Sequence, residues 1–124
     1  MPTVRDARGQ GLPAGGYARV VSLVPTLTES MMELGLGKRL VGRTRFCVHP
    51  AEAVAAISTV GGTKTPELDA IRDLAPDLVL ASREENRRED IEALEDAGLA
   101  VHLIDPRSLD DVQGFLTALG QLLE

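Results

Sequence analysis

The sequence contains one cysteine, Cys47, and this scarcity excludes two kinds of structure. A single thiol cannot form an internal disulfide, and it supplies too few thiolates for a zinc site built from cysteines. No apolar run approaches the roughly 20 residues that a membrane-spanning helix needs. Residues 1–8 lack the apolar segment of a secretory signal. We therefore expect a cytoplasmic chain as given, or a periplasmic or cell-surface one if the sequence has been trimmed.

Basic residues are too few for a general nucleic-acid-binding surface. The 13 lysines and arginines are outnumbered by 19 aspartates and glutamates, which gives a formal net charge of −6. Proteins that bind nucleic acid displace counterions from its phosphates and need an excess of positive charge to do so. The 124 residues are 44% hydrophobic and 26% charged, as in ordinary globular domains. We expect a single domain with no nucleic-acid partner and no membrane span.

The stretch from Ala18 to Gly35 predicts a central strand, a turn and a helix. Residues 20–24 form a short apolar run rich in valine, which is typical of a strand covered by helices on both faces. Pro25 ends this run, and the sequence from Thr26 to Glu29 has the form of a capping box, so a helix should begin here. Gly35 lies where a left-handed residue commonly closes a helix.

The rest of the chain alternates between apolar strands and amphipathic helices. Further strands are predicted at 40–43, 78–81 and 101–104. One helix is predicted in the alanine-rich segment 51–57, and another follows the charged segment 83–88. A third begins after an N-cap at Thr65, with Pro66 in the first helical position. The last begins after a cap formed by Ser108 with Asp111. The glycine-rich residues 1–17 are interpreted as an extended lead-in, and residues 18–124 as a single α/β lobe.

This alternation predicts a three-layer, Rossmann-like α/β domain with helices on both faces of a parallel sheet of four to five strands. If the strand at 20–24 is counted first, the expected strand order is 2-1-3-4. Ligands of such sheets bind beyond the carboxyl ends of the strands, where the strand order reverses. The loops that should emerge at this edge are 25–28, 44–49, 61–64, 82–88 and 105–107.

Positive charge is concentrated near these loops although the protein is acidic. Seven of the 13 basic residues lie at or beside them: Arg43, Arg45, Lys64, Arg83, Arg87, Arg88 and Arg107. One interpretation is that the basic residues bind an anionic ligand. The alternative is that Arg87 and Arg88 merely form ion pairs with acidic neighbours on a solvated helix.

Several side chains on these loops are candidates for ligand binding. Phe46 would stack on a flat ligand, or would instead be a core contact. Thr26, Thr28 and the free N–H groups after Pro25 would bind a carboxylate or phosphate, or would serve only as a helix cap. The full predicted ligand-binding set is Pro25, Thr26, Arg45, Phe46, Cys47, Lys64, Glu84, Asn86 and Arg87.

Neither a protein-built metal site nor an enzyme activity is expected. Cys47 and His49 would lie on one side of an extended loop, but two ligands are too few for a metal, and His102 does not obviously join them. The same pair lacks a third group to orient it for nucleophilic catalysis.

Five ordered segments together resemble one family of transport receptors. They are D-A-R-G-Q, R-V-V-S-L-V-P-T-L-T-E, L-V-G-R-T-x-x-C-V-H-P, G-G-T-x-x-x-x-L-D-A-I and L-A-P-D-L-V-L. They are similar to the amino-terminal lobe of class III substrate-binding proteins, the vitamin B12 and ferric-siderophore receptors of ABC importers, also called helical-backbone metal receptors. The resemblance covers nearly the whole chain from Val4 onward. It implies two α/β lobes joined by a long helix with the ligand between them, whereas this sequence holds one lobe.

The resemblance implies a module that binds cobalamin or a ferric chelate, with no covalently bound cofactor. It places Phe46 in the ligand-facing loop and implies that Asp69 docks on arginines of an ABC transporter permease. The alternative function is a structural or regulatory assembly domain that kept the lobe fold without the ligand. One lobe would leave a large ligand mostly in water, and Phe115 and Leu122 widen the apolar stripe of the last helix. We therefore expect a homodimer, with a separate second lobe as the alternative partner.

Overall fold

The computed structural model describes residues 3–48, 51–105 and 109–123, with only the backbone described for 109–113 and 115. Its strands are β1 (Thr3–Arg5), β2 (Gly11–Pro13), β3 (Val20–Ser22), β4 (Leu40–Arg43), β5 (Ser58–Thr59), β6 (Leu78–Ser82) and β7 (Val101–Ile104). Its helices are α1 (Pro25–Glu33), α2 (Ala51–Ala55), α3 (Leu68–Asp73), α4 (Arg88–Asp96) and α5 (Leu109–Leu123), with a 3₁₀ turn at Gly37–Arg39.

Five of these strands form a parallel sheet in the order β5-β4-β3-β6-β7. The predicted order 2-1-3-4 corresponds to β4-β3-β6-β7 and is confirmed. Sequence analysis did not assign β5, which is only two residues long and lies at the outer edge of the sheet. The chain runs outward from β3 through β4 to β5 and then continues on the other side of β3 with β6 and β7, so the strand order reverses beside β3, at the topological switch point of the sheet.

Helices cover both faces of the sheet, which confirms the three-layer architecture. Val20 and Leu78 point into one apolar core, which α1 and α5 complete. Val21 and Val79 point into a second core on the opposite face, which α3 and α4 complete. Neighbouring residues of one strand thus enter different cores, and this explains why β3 and β6 are apolar except for the serine that ends each of them.

The predicted end of α1 is confirmed in detail. Gly35 has φ 75°, the left-handed conformation that glycine adopts without a steric penalty. The N–H of Leu36 donates to the carbonyl of Met31 at 2.8 Å, and the N–H of Gly35 donates to that of Met32 at 3.1 Å. This pair of bonds is a Schellman motif.

The predicted capping box at the start of α1, from Thr26 to Glu29, is wrong. Val24 is the N-cap and makes no side-chain cap hydrogen bond, and Pro25 occupies the first helical position. Thr26 therefore lies inside the first turn and cannot act as the first residue of a capping box. Proline is favoured at this position because the N–H that it lacks would have no partner in the helix.

The predicted N-cap at Thr65 is also wrong, because α3 begins three residues later. Residues 61–67 first fold back against the end of β5. The N–H of Glu67 donates to the carbonyl of Val60 at 2.7 Å, and the N–H of Gly62 donates to that of Thr65 at 3.2 Å. Only after this loop can the chain become helical, with Glu67 as its N-cap. The predicted cap of α5 at Ser108 lies outside the described residues.

Within the lead-in, β1 and β2 form an antiparallel hairpin that sequence analysis missed. The turn of this hairpin docks on β7. The N–H of Ala7 donates to the carbonyl of Leu103 at 2.9 Å, and the carboxylate of Asp6 accepts the N–H of Leu103 at 3.3 Å. Arg8 forms ion pairs with Asp6 at 2.6 Å and with Glu95 at 2.9 Å. The hairpin turn thus covers the edge strand of the sheet.

The carboxyl-terminal part of α5 packs on the lobe itself. Leu119, Leu122 and Leu123 are buried in the same core as Val4 of β1. The expectation that Leu122 adds to an exposed apolar stripe is therefore wrong. Leu116 is 37% exposed, and the side chain of Phe115 lies outside the described residues. Among the described residues, no helix is long and apolar enough to cross a membrane.

Candidate ligand-binding edge

The loops that follow the parallel strands meet at one edge of the sheet. We call this the ligand edge and define it by residues 25–28, 44–48, 61–65 and 82–87. Residues 61–65, the crossover loop, begin beyond β5 and reach the loop that follows β6. The ammonium of Lys64 donates to the backbone carbonyl of Glu84 at 2.6 Å. Because β4 and β3 lie between β5 and β6, this loop passes over the switch point.

Cys47 is buried beneath this edge, and the structure does not support the prediction that it contacts a ligand. Its side chain is 1% exposed. The hydroxyl of Thr28 donates to its sulfur at 3.1 Å, and the hydroxyl of Thr44 lies 3.2 Å from the same atom. The Thr28 hydroxyl also lies 2.9 Å from that of Ser22, and Thr28 is fully buried, so the prediction that Thr28 contacts a ligand is not supported. These four side chains form a polar cluster that packs α1 against the loop after β4.

Asn86 is also buried, at 3% exposure, and its amide is used for contacts within the lobe. Its Nδ2 donates to the carbonyls of Leu23 and Thr63, each at 3.1 Å, and its Oδ1 accepts the N–H of Ser82 at 2.8 Å. The prediction that Asn86 contacts a ligand directly is therefore not supported. Residues 83–86 form a turn and a bend, and α4 begins at Arg88 with Arg87 as its N-cap.

Phe46 and Val48 form an exposed apolar tip on the loop after β4. Phe46 is 53% exposed and Val48 is 49% exposed, so the alternative that Phe46 is a core contact is wrong. The guanidinium carbon of Arg45 lies 5.2 Å from the centroid of the Phe46 ring, a cation–π geometry. On its other side the Arg45 guanidinium lies close to Gly62, so it bridges the apolar tip and the crossover loop.

The basic residues near this edge fall into two groups. Most have partners: Arg83 pairs with Asp105, Arg87 with Glu89 and Asp90, and Arg88 with Glu92, while Arg43 donates to the carbonyls of Ile57, Thr44 and Cys47. The alternative that Arg87 and Arg88 form ion pairs on a solvated helix is thus confirmed. Arg45 and Lys64 have no carboxylate partner among the described residues. Their positive charge is available to a ligand.

Pro25, Thr26 and Glu84, three more of the predicted ligand-binding residues, are half-buried or exposed at the ligand edge. Pro25 is half-buried and Thr26 exposed in the first turn of α1, and Glu84 is exposed beside Lys64. Asp69 lies on α3 with a 95% exposed side chain and pairs with Arg72 at 3.4 Å. His49 and Arg107 lie outside the described residues.

A concave region lies between the hairpin turn and α4. Its volume is about 520 Å³. Three arginines line it, Arg8, Arg83 and Arg88, and each already pairs with a carboxylate. It therefore offers less free charge than the ligand edge. Within the described residues, no three His, Cys, Asp or Glu side chains converge as a metal site would require.

An open sheet edge with exposed aromatic and basic side chains is the arrangement of a ligand-binding α/β lobe. A model of the periplasmic binding protein family matches residues 20–124, and the chain belongs to this family.

Relatives with curated functions are vitamin B12-binding proteins. The protein from Pectobacterium carotovorum is 33% identical over 101 residues, which are 82% of this chain and 36% of that protein. The protein from Yersinia pestis is 32% identical over 110 residues, 89% of this chain and 39% of that protein. The chain therefore spans less than half the length of these relatives.

Similar solved structures include haem- and B12-binding proteins. The periplasmic heme-binding protein from Pseudomonas aeruginosa superposes with a TM-score of 0.79 at 26% identity, over 85% of this chain and 38% of that one. The periplasmic vitamin B12-binding protein BtuF of Vibrio cholerae superposes with a TM-score of 0.73 at 26% identity, over 86% of this chain and 40% of that one. The resemblance inferred from the sequence motifs is thus confirmed.

Proposed function

We propose that this lobe binds a flat, chelated-metal compound, cobalamin or an iron chelate such as haem, as part of the substrate-binding component of an ABC importer. One observation carries the proposal. Phe46 is exposed beside Arg45, and Lys64 lies on the same ligand edge; neither charge has a carboxylate partner among the described residues. An aromatic face suits a macrocycle, and nearby cations suit its carboxylates.

A second lobe completes the site in this proposal. Good ligand sites bury about 70–90% of a ligand's surface, and a single open edge covers one side of it. The chain spans 36% of the Pectobacterium relative, so there is room in such a protein for another lobe. Asp69, exposed on α3, is the proposed contact with the permease. In this proposal the protein works in the periplasm or at the cell surface. The two solved relatives named above are described as periplasmic proteins.

The partner of an isolated lobe is a further proposal. The exposed apolar tip at Phe46 and Val48 would be covered by a second copy when no second lobe is present. Light scattering after size exclusion distinguishes the cases. A mass twice 13.2 kDa is expected, whereas a mass of 13.2 kDa at high micromolar concentration would refute the homodimer.

The binding proposal is tested by titrating the protein with cyanocobalamin, haem and ferric siderophores, followed by absorbance and by thermal shift. We expect at least one of these ligands to bind, and Phe46→Ala to weaken its binding by about tenfold or more. Leu34→Ala is the matched control, because Leu34 is 52% exposed at the far end of α1. If none of the ligands binds, the alternative of an assembly domain is favoured.

Charge at the ligand edge is tested separately. Lys64→Ala or Arg45→Ala should weaken binding of an anionic ligand such as haem and reduce its salt dependence, because exposed charges are screened over roughly 8–10 Å at physiological salt. Lys38→Ala, in the 3₁₀ turn at the opposite edge, should have neither effect. Equal affinities in all three variants would contradict the role of this charge.

A further inference from the structure

The crossover loop lies over the position where ligands of open α/β sheets usually enter. That position is the crevice beside β3, where the strand order reverses. Here the crevice is occupied by the protein's own chain. The side chain of Asn86 joins the carbonyl of Thr63 to that of Leu23, the residue after β3, and Ser22 and Thr28 at this end of β3 are fully buried.

Asn86 contacts three separate segments of the ligand edge. Leu23 follows β3, Thr63 belongs to the crossover loop, and Ser82 ends β6. Both N–H groups of the amide donate to carbonyls and its oxygen accepts an N–H, so only one orientation of the amide satisfies all three partners. Asparagine is the side chain of this size that offers two donors and one acceptor together.

The crossover loop has few other attachments to the β6 side of the edge. The ammonium of Lys64 contacts the carbonyl of Glu84, but both residues are exposed. On the other side, the N–H of Arg45 donates to the carbonyl of Gly61 at 2.9 Å. Asn86 therefore supplies the buried contact that holds Thr63, and with it the adjacent Lys64, across the switch point.

We propose that Asn86 is a positioning residue that fastens the crossover loop over the switch point, so that a ligand rests on the outer side of this loop against Lys64 and Arg45. The part of this inference that concerns the ligand rests on the proposed function. A buried amide bonded to two carbonyls costs more to lose than an exposed contact, because each carbonyl would be left without its donor. The fastening itself does not depend on any ligand.

Hydrogen exchange tests the fastening without ligand. Asn86→Ala should speed exchange of the Arg45 and Gly62 amides, whose acceptors lie in the crossover loop, by about tenfold. Asn86→Asp keeps the acceptor for Ser82 and loses both donors, so it should produce the same change. Asp77→Ala is the matched control, because Asp77 accepts two backbone N–H groups, from Ala18 and Arg19, at the opposite edge. Unchanged exchange in both Asn86 variants would overturn the proposal.

The wild-type protein supplies an independent check if the variants fold poorly. The two side-chain N–H protons of Asn86 should be protected from solvent exchange and close to Thr63 by nuclear Overhauser effects. A freely exchanging Asn86 amide would overturn the proposal without any mutation.

A double-mutant cycle tests the link to binding. With haem or cyanocobalamin, whichever binds the wild type, Lys64→Ala should weaken binding in the wild-type background and have little further effect in the Asn86→Ala background. Fully additive effects would show that Asn86 does not act through Lys64. If the wild type binds neither ligand, the proposed function fails, while the exchange measurements still decide whether Asn86 fastens the loop.

Discussion

The hydroxyl of Thr28 donates a hydrogen bond to the sulfur of Cys47 at 3.1 Å. Thr28 belongs to the first turns of α1 and Cys47 to the loop after β4, so this bond joins the helix to the loop beneath the ligand edge. Thr44 lies 3.2 Å from the sulfur on another side, and all three side chains are buried. The only thiol of the sequence therefore shapes the ligand edge without being exposed on it.

This cluster predicts how replacements of Cys47 affect stability. Cys47→Ala removes the partner of two buried hydroxyls and should lower the free energy of unfolding by about 1–3 kcal/mol. Cys47→Ser keeps a hydrogen-bonding atom and should cost less. Urea denaturation measures both. Equal stability of the two variants and the wild type would mean that the thiol contributes nothing to the cluster.

His102 predicts a dependence of stability on pH. It is buried in β7, and its Nδ1 has no hydrogen-bond partner among the described residues. Burial lowers the pKa of His102 below its ordinary value of 6.5, against an opposing effect of Asp6 and with a further decrease from Arg8. Because the unfolded chain takes up a proton more readily, stability is fully present above about pH 6.5 and is lost as the pH falls below it.

Urea denaturation between pH 7.5 and 5 checks this prediction. The free energy of unfolding should fall by at most about 1.4 kcal/mol per pH unit from this group, and His102→Leu should flatten the slope. Asp6 does not interfere. Burial alone would raise its pKa, but hydrogen bonds from Arg8 and Leu103 hold that pKa below 3.8, so its contribution is lost only at lower pH. An unchanged slope in His102→Leu would refute the assignment.

Gly61 and Gly35 form a matched pair that separates backbone strain from steric crowding. Both have positive φ, 93° and 75°. A Cβ at Gly61 would lie 2.7 Å from the carbonyl oxygen of Thr65, whereas at Gly35 nothing lies within 4 Å. Gly35→Ala should cost about 1–2 kcal/mol of stability from the left-handed backbone alone. Gly61→Ala should cost more and should also weaken ligand binding, because it displaces the crossover loop. Equal effects on stability would contradict this account of the loop.

The sequence was sufficient to predict the fold because its central strands are apolar except for one serine each, and its helices end at clear signals. The run at 20–24 and the glycine at Gly35 depend mainly on local chemistry, and both predictions are confirmed. Helix starts were less predictable. The bonds that delay α3 until after Glu67 connect to Val60 of the loop beyond β5, and no local pattern reveals them.

Sequence analysis predicted the location of the candidate site better than the contacts of its individual side chains. The placement of the loops that carry Phe46 and Lys64 at one edge follows from strand order, whereas the exposure of Phe46 was left open. The burial of Cys47 and Asn86 does not, because polar residues in loops are usually exposed. Their partners come from strands and loops that are distant in the sequence, at Thr28, Leu23 and Thr63. The only hint in the sequence that Asn86 is buried was its position shortly after the apolar strand at 78–81.

The most direct test of the account is chemical-shift mapping on the isotope-labelled protein with two diamagnetic ligands, cyanocobalamin and gallium protoporphyrin. We predict that at least one of them perturbs amides at the ligand edge, above all in 44–48 and 61–65, and leaves the 3₁₀ turn at Gly37–Arg39 unchanged. Perturbations centred on the opposite edge of the sheet, or none with either ligand at millimolar concentration, would contradict the account.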